Sequence, residues 1–152
     1  MFIIILDVHW GYNTLNRLNV QLTTYFGLIP FYFPLICYFL SSDIIVRIYF
    51  IEVSIIYGAM ISSFISGMQW EQIVSDNKKY TIFPILPFFL AWLHFLDLFI
   101  FFKEMIIIIA LLFNLLIDFF ILKKNRENWF KKMRIIATFV ACSSFVINFL
   151  LV

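Results

Sequence analysis

Five apolar runs of helix-spanning length, separated by short polar breaks, dominate this sequence. They lie at about 20–40, 44–68, 82–102, 105–122 and 135–152. The breaks are Ser41-Ser42-Asp43, Glu71 to Lys79, Lys103-Glu104 and Lys123 to Arg134. A helix of about 20 residues crosses the hydrocarbon of a bilayer. Strand-type alternation over about ten residues per pass is absent, and hydrocarbon offers no water to unpaired backbone groups. The pattern therefore predicts an all-α integral membrane bundle of five transmembrane helices over residues 20–152. Composition agrees: 64% of the 152 residues are apolar and 13% charged, more hydrocarbon than a soluble core this short can hide. Five spans leave length only for loops and ends, which excludes an appended soluble domain.

Residues 1–19 read as an N-terminal interfacial or poorly ordered segment, with Trp10 and Tyr12 at headgroup level. Met1-Phe2-Ile3-Ile4-Ile5-Leu6 lacks the basic start and small-residue cleavage pattern of a signal peptide. The net charge of +2 is too small to imply a nucleic-acid partner, but the placement of the charges is informative. With the amino terminus inside, Arg17, Lys78, Lys79, Lys123, Lys124, Arg126, Lys131, Lys132 and Arg134 are cytoplasmic, and only Arg47 and Lys103 are outside. The positive-inside rule then predicts amino terminus in and carboxyl terminus out.

Helix breakers and small residues add detail. Gly27, Pro30 and Pro34 predict that span one kinks, or begins as a separate short turn before Pro30. Pro84 and Pro87 fall in the first turns of span three, where a missing amide donor costs least. Span two carries two ladders at four-residue spacing, Gly58-Ser62-Ser66 and Ala59-Ser63-Gly67. Such faces let helices approach closely, so span two is expected to be the helix around which others pack. Ala137 and Ala141 give span five a weaker version.

Ionisable groups at membrane depth call for a partner or a purpose. The candidates are Arg47, Glu52, His94, Asp97 and Asp118, with Asn114 and Asn148 as neutral company. At about 1.5 Å per residue, Glu52 and His94 both lie roughly 12 Å below the outer edge, and Arg47 and Asp97 roughly 5–8 Å. The depths predict pairing of Glu52 with His94, Arg47 with Asp97, or both. Such pairs tie two helices together, or form a proton-responsive site facing the outer side. Asp118, one turn before Lys123-Lys124, is expected to pair with that basic loop. Alternatively, Arg134 points back to it from a helical arm anchored by Trp129.

Catalytic motifs fail on geometry. Ser66-Gly67 has Phe64 where an intramembrane serine protease has its first glycine, and Ser66 lies roughly 15–20 Å from His94 along the membrane normal. No HExxH, phosphate loop or haem-ligand pattern is present. Cys37 and Cys142 have no CxxC spacing and read as small buried apolar side chains. The expectation is a protein with no catalytic residues, metal or cofactor.

Several phrases together resemble a known family. They are Gly27-Leu28-Ile29-Pro30-Phe31, the run from Tyr57-Gly58-Ala59 to Gly67-Met68-Gln69-Trp70, Phe83-Pro84-Ile85-Leu86-Pro87 with Ala91-Trp92, and Asp118 ahead of Trp129-Phe130-Lys131-Lys132-Met133-Arg134. The chain from about residue 22 to 152 resembles the domain-of-unknown-function 3429 family of small multi-pass membrane proteins, which includes transmembrane protein 69. The tyrosine-glycine-alanine to glycine-x-x-tryptophan block is the specific part, and Glu71 departs from the glycine expected after the tryptophan. The resemblance implies a five-helix protein of the bacterial cytoplasmic (inner) membrane, or alternatively of the mitochondrial inner membrane. It brings no activity, substrate or cofactor.

Two functions follow from the sequence. The first is a non-enzymatic membrane protein that acts by helix packing, as an accessory or assembly partner. Its partners would be the lipid bilayer and either a second copy or other membrane proteins. The second is a small, dimeric transporter-like protein with Glu52, His94 and Asp97 lining an outward-facing polar site.

Overall fold

A computed structural model describes residues 14–76, 79–96, 102–122 and 127–151. Trp10, Tyr12, Asp97, Lys78, Lys123, Lys124 and Arg126 lie outside the described residues. The described chain is all-α, with no strand among the described residues. Six helices follow in order: α1 (Thr14–Phe26), α2 (Ile29–Leu40), α3 (Ile44–Ser75), α4 (Ile85–Leu93), α5 (Lys103–Phe120) and α6 (Asn128–Leu151). Three segments are long and apolar enough to cross a membrane: Arg17–Leu40, Ile44–Ser75 and Asn128–Leu150.

The first expected span is two helices, broken at Gly27-Leu28. Pro30 cannot donate to the carbonyl four residues back, and its ring would crowd it, so α1 ends and α2 starts with Pro30 in its first turn. Phe31 N bonds the Leu28 carbonyl at 3.1 Å, which leaves the Gly27 carbonyl without its usual helical partner. The Tyr57 hydroxyl donates to that carbonyl at 2.8 Å, tying the break to α3. The next break is set by Asp43, the N-cap of α3, whose carboxylate accepts from Ile45 N at 2.8 Å.

Span three shows the largest departure from expectation. In place of a continuous helix over 82–102 there is the nine-residue α4, after which His94, Phe95 and Leu96 form a turn. Phe95 N bonds Trp92 O and Leu96 N bonds Leu93 O, the tightened pattern of a helix end. The Ala91 carbonyl, which would have taken Phe95 N, is approached instead by the His94 ring Nδ1 at 2.6 Å. Residues 97–101 lie outside the described residues. Pro84 caps α4 and Pro87 sits in its first turn, as the spacing predicts.

Helix directions follow from side-chain contacts. Arg47, at the start of α3, reaches the Ser41 carbonyl at the end of α2, and Tyr57 reaches back to Gly27, so α2 and α3 are antiparallel. Glu52 meets Lys103 and Ser62 meets Asn114, so α3 and α5 run parallel. Asp118 meets Arg134, and Ile107 and Phe145 meet at Gly58, so α5 and α6 are antiparallel. The core is built where these helices cross, with Phe31, Ile55, Ala59, Ala91, Ile107, Leu111, Ala141 and Phe145 buried together. Phe31 stands edge-on to Tyr57 and to Phe145, at centroid distances of 4.8 and 5.6 Å.

Gly58 is what lets this crossing close. A Cβ added there would collide with Phe145 Cζ and lie 2.8 Å from Ile107 Cγ2. The stripe Gly58-Ser62-Ser66 is buried, facing α5 and α6. The second stripe diverges along its length: Ala59 is buried, Ser63 half-buried, and Gly67 exposed with no atom within 4 Å of an added Cβ. Four-residue spacing drifts around a helix of 3.6 residues per turn, which carries Gly67 off the contact face.

Candidate functional site

The polar side chains inside the bundle form two groups, one on either side of the Gly58-Phe145 contact. The lower group begins with Asn114 on α5. Its amide donates to Ser62 Oγ at 3.0 Å and to the Ser62 carbonyl at 3.2 Å. Its own Oδ1 accepts from Ser66 Oγ at 3.1 Å, and its backbone carbonyl accepts from Gln69 Nε2 at 2.8 Å. Ser62, Ser66, Gln69 and Asn114 are all buried. Spacings of three and four residues place Ser62, Ser66 and Gln69 on one face of α3, so a single asparagine bonds three residues spread over about two turns of the neighbouring helix.

One turn beyond Asn114, the Asp118 carboxylate accepts from Arg134 Nε at 2.8 Å. Here the sequence offered the basic loop or Arg134 as partner, and the structure places Arg134 on Asp118. The helical arm carrying Trp129 is the first turn of α6 itself, and Arg17 of α1 stacks over the Trp129 ring at 5.0 Å.

The upper group differs from the expected pairs. Glu52 is bonded to Lys103 at 2.7 Å, not to His94. Because α4 stops at Leu93, the His94 ring folds onto its own helix end, and a carbonyl partner requires the proton on Nδ1. Its Nε2 is buried without a partner. Arg47 donates to the Ser41 carbonyl at 2.8 Å and lies over the Tyr38 ring at 5.2 Å. Its expected partner Asp97 is outside the described residues. Arg47, Glu52, His94 and Asp118 are thus placed by contacts with four different elements rather than gathered in one cluster.

Three groups were missed by the sequence reading. Gln69 was legible as the continuation of the Ser62-Ser66 face. Glu104 and Ser54 are buried, Glu104 in the first turn of α5. Nothing in the sequence marks Glu104 as buried, because Lys103-Glu104 reads as a solvated break.

Two outward-opening clefts are apolar. The larger, about 560 Å³, lies between Tyr80 and Phe83 on one side and Phe113, Leu116 and Phe120 on the other. The smaller, about 300 Å³, is lined by Tyr25, Tyr32, Phe33, Val140 and neighbours. Among the described residues no three His, Cys, Asp or Glu side chains gather as a metal site. Cys37 and Cys142 are free thiols.

These features define an all-α protein whose long apolar helices are joined by internal polar contacts. The chain belongs to the family described as protein of unknown function (DUF3429), whose model matches residues 16–150 and so bears out the resemblance carried by the span-two block. No curated protein and no solved structure matches the chain.

Proposed function

We propose that this is a non-enzymatic integral membrane protein that acts by helix packing, as an accessory or assembly partner of other membrane proteins. The observation that carries the reading is the division of polar and apolar surface. Asn114, Ser62, Ser66, Gln69, Asp118 and Arg134 are engaged with one another inside the bundle, and the two clefts open to the outside are apolar. Such surfaces suit acyl chains and neighbouring helices better than a polar substrate.

The chain crosses the membrane five times with its amino terminus inside and its carboxyl terminus outside. In support, α2 to α6 reverse direction where contacts define it, and Arg17, Lys79, Lys131, Lys132 and Arg134 fall near the end where α3 and α5 finish. Arg47 and Lys103 fall at the other end. That asymmetry supports a cytoplasmic position for the first end. The membrane is the bacterial inner membrane, with the mitochondrial inner membrane as the alternative.

Crosslinking followed by purification in mild detergent tests the function. A reproducible membrane partner or homo-oligomer is expected, and a monomer without partners would count against it. Compartment reporters fused at the two tails are expected to report opposite sides. The transporter-like reading ranks second because neither apolar cleft reaches Glu52. Loss of proton-coupled uptake in a Glu52→Gln strain would promote it.

A further inference from the structure

The helix register brings together buried polar groups that the lower network does not use. Asp118 and Arg134 fix the antiparallel alignment of α5 and α6. Fourteen residues outward from each, 118 to 104 and 134 to 148, is about four helical turns, which sets Glu104 and Asn148 at one level along the two helices. The parallel pair α3 and α5 touches at Glu52-Lys103 and again at Gly58-Ile107. Ser54 and Glu104 lie between those two contacts on their respective helices. His94 closes α4 one turn beyond the core residue Ala91.

All four side chains are sealed from the outside: Ser54 and Asn148 are 0% exposed, His94 2% and Glu104 7%. Ser54 Oγ, His94 Nε2 and both ends of the Asn148 amide have no protein partner. Gln69 Oε1 and Arg134 Nη2 in the lower group are also without a partner, but those side chains each make another hydrogen bond, whereas the Ser54 and Asn148 side chains make none. Ser66, Ser143 and Ser144 each bond a carbonyl of their own helix, whereas Ser54 leaves that option unused. Buried polar atoms of native proteins are satisfied by protein or by ordered water. Here donors and acceptors are mixed: a hydroxyl, an amide N–H₂, an amide oxygen, an imidazole acceptor and a carboxylate.

The geometry points to an internal water-binding site formed by Ser54, Glu104 and Asn148 with His94 beside them. The Glu52-Lys103 ion pair lies on its outer side along α3 and α5, and Phe145 packed on Gly58 and Ile107 closes it below. Water, which donates and accepts at once, suits each of these five kinds of group, and one molecule meets about two to four of them. The site stands independently of any partner protein.

Water-edited solid-state NMR on the unmodified protein in lipid tests it. Magnetisation from water should reach the Ser54 and Asn148 side chains faster than Ile107 or Phe145. Equal build-up at all four would overturn the site. Asn148→Leu gives an independent reading. If the amide shares water with Ser54 and Glu104, its loss strands them and the Tm falls by about 2–4 °C. If the amide is merely unpaired, the leucine raises the Tm and the proposal fails. Exchanging sodium for choline at constant ionic strength should leave the Ser54 and Asn148 signals in place. A sodium-dependent shift would overturn water in favour of a bound cation.

Discussion

Asp118 and Arg134 hold α5 against α6 through a 2.8 Å charge-assisted bond, with their side chains only 4% and 12% exposed. A buried pair of this kind costs most when half of it is removed, because the survivor is an uncompensated charge. Asp118→Leu alone should therefore destabilise the protein by about 3–5 kcal/mol. The double variant Asp118→Leu/Arg134→Met should recover much of that loss. Thermal or denaturant unfolding in lipid nanodiscs measures both, and additive losses would show that the pair is not coupled.

The glycines of α3 make a matched pair of tests. Gly58→Ala inserts a methyl group where Phe145 and Ile107 already sit, and overpacking of this kind costs about 1–3 kcal/mol. Gly67→Ala enters open space and gains helix propensity of up to about 1 kcal/mol. Unfolding midpoints should thus move in opposite directions for two identical substitutions on one helix.

Asn114→Leu removes the side-chain amide that Ser62 and Ser66 both contact. The Gln69 bond to the backbone carbonyl survives, so the expected loss is about 1–2 kcal/mol. Hydrogen exchange should show the α3-α5 contact loosening while α2 stays protected.

Glu52 and Lys103 sit at the opposite extreme. Glu52 is 39% exposed, and water screens such a pair to within about 1 kcal/mol. Glu52→Gln should leave the unfolding midpoint nearly unchanged, and what change remains should shrink as salt is added.

Much of this architecture was legible because its causes are local. Pro30 ends one helix and starts the next, the Ser41-Ser42-Asp43 break marks where α3 begins, and Pro84 and Pro87 sit where helices tolerate them. The Asp118-Arg134 pair was within reach because both residues lie near the same expected helix ends. Glu52 was misassigned because depth is one coordinate and says nothing of direction around a helix. The arithmetic also carried span three outward as an unbroken rod. Once α4 stops at Leu93, His94 turns back to Ala91 and Lys103 becomes the neighbour of Glu52. Glu104 stayed hidden for a different reason, since a charged dipeptide gives no sign of which of its members faces inward.

The 32 residues of α3 make a strut about 48 Å long, well over the roughly 30 Å of a bilayer's oily slab. Even its apolar part, up to Met68, exceeds that thickness. A rod that outreaches its host must lean, or draw the surrounding leaflets thicker. On the proposed reading of α3 as a membrane span, α5 and α6, pinned to this strut through Asn114, Gly58 and Phe145, would lean with it, and the thicker of two membranes on offer would be the better host.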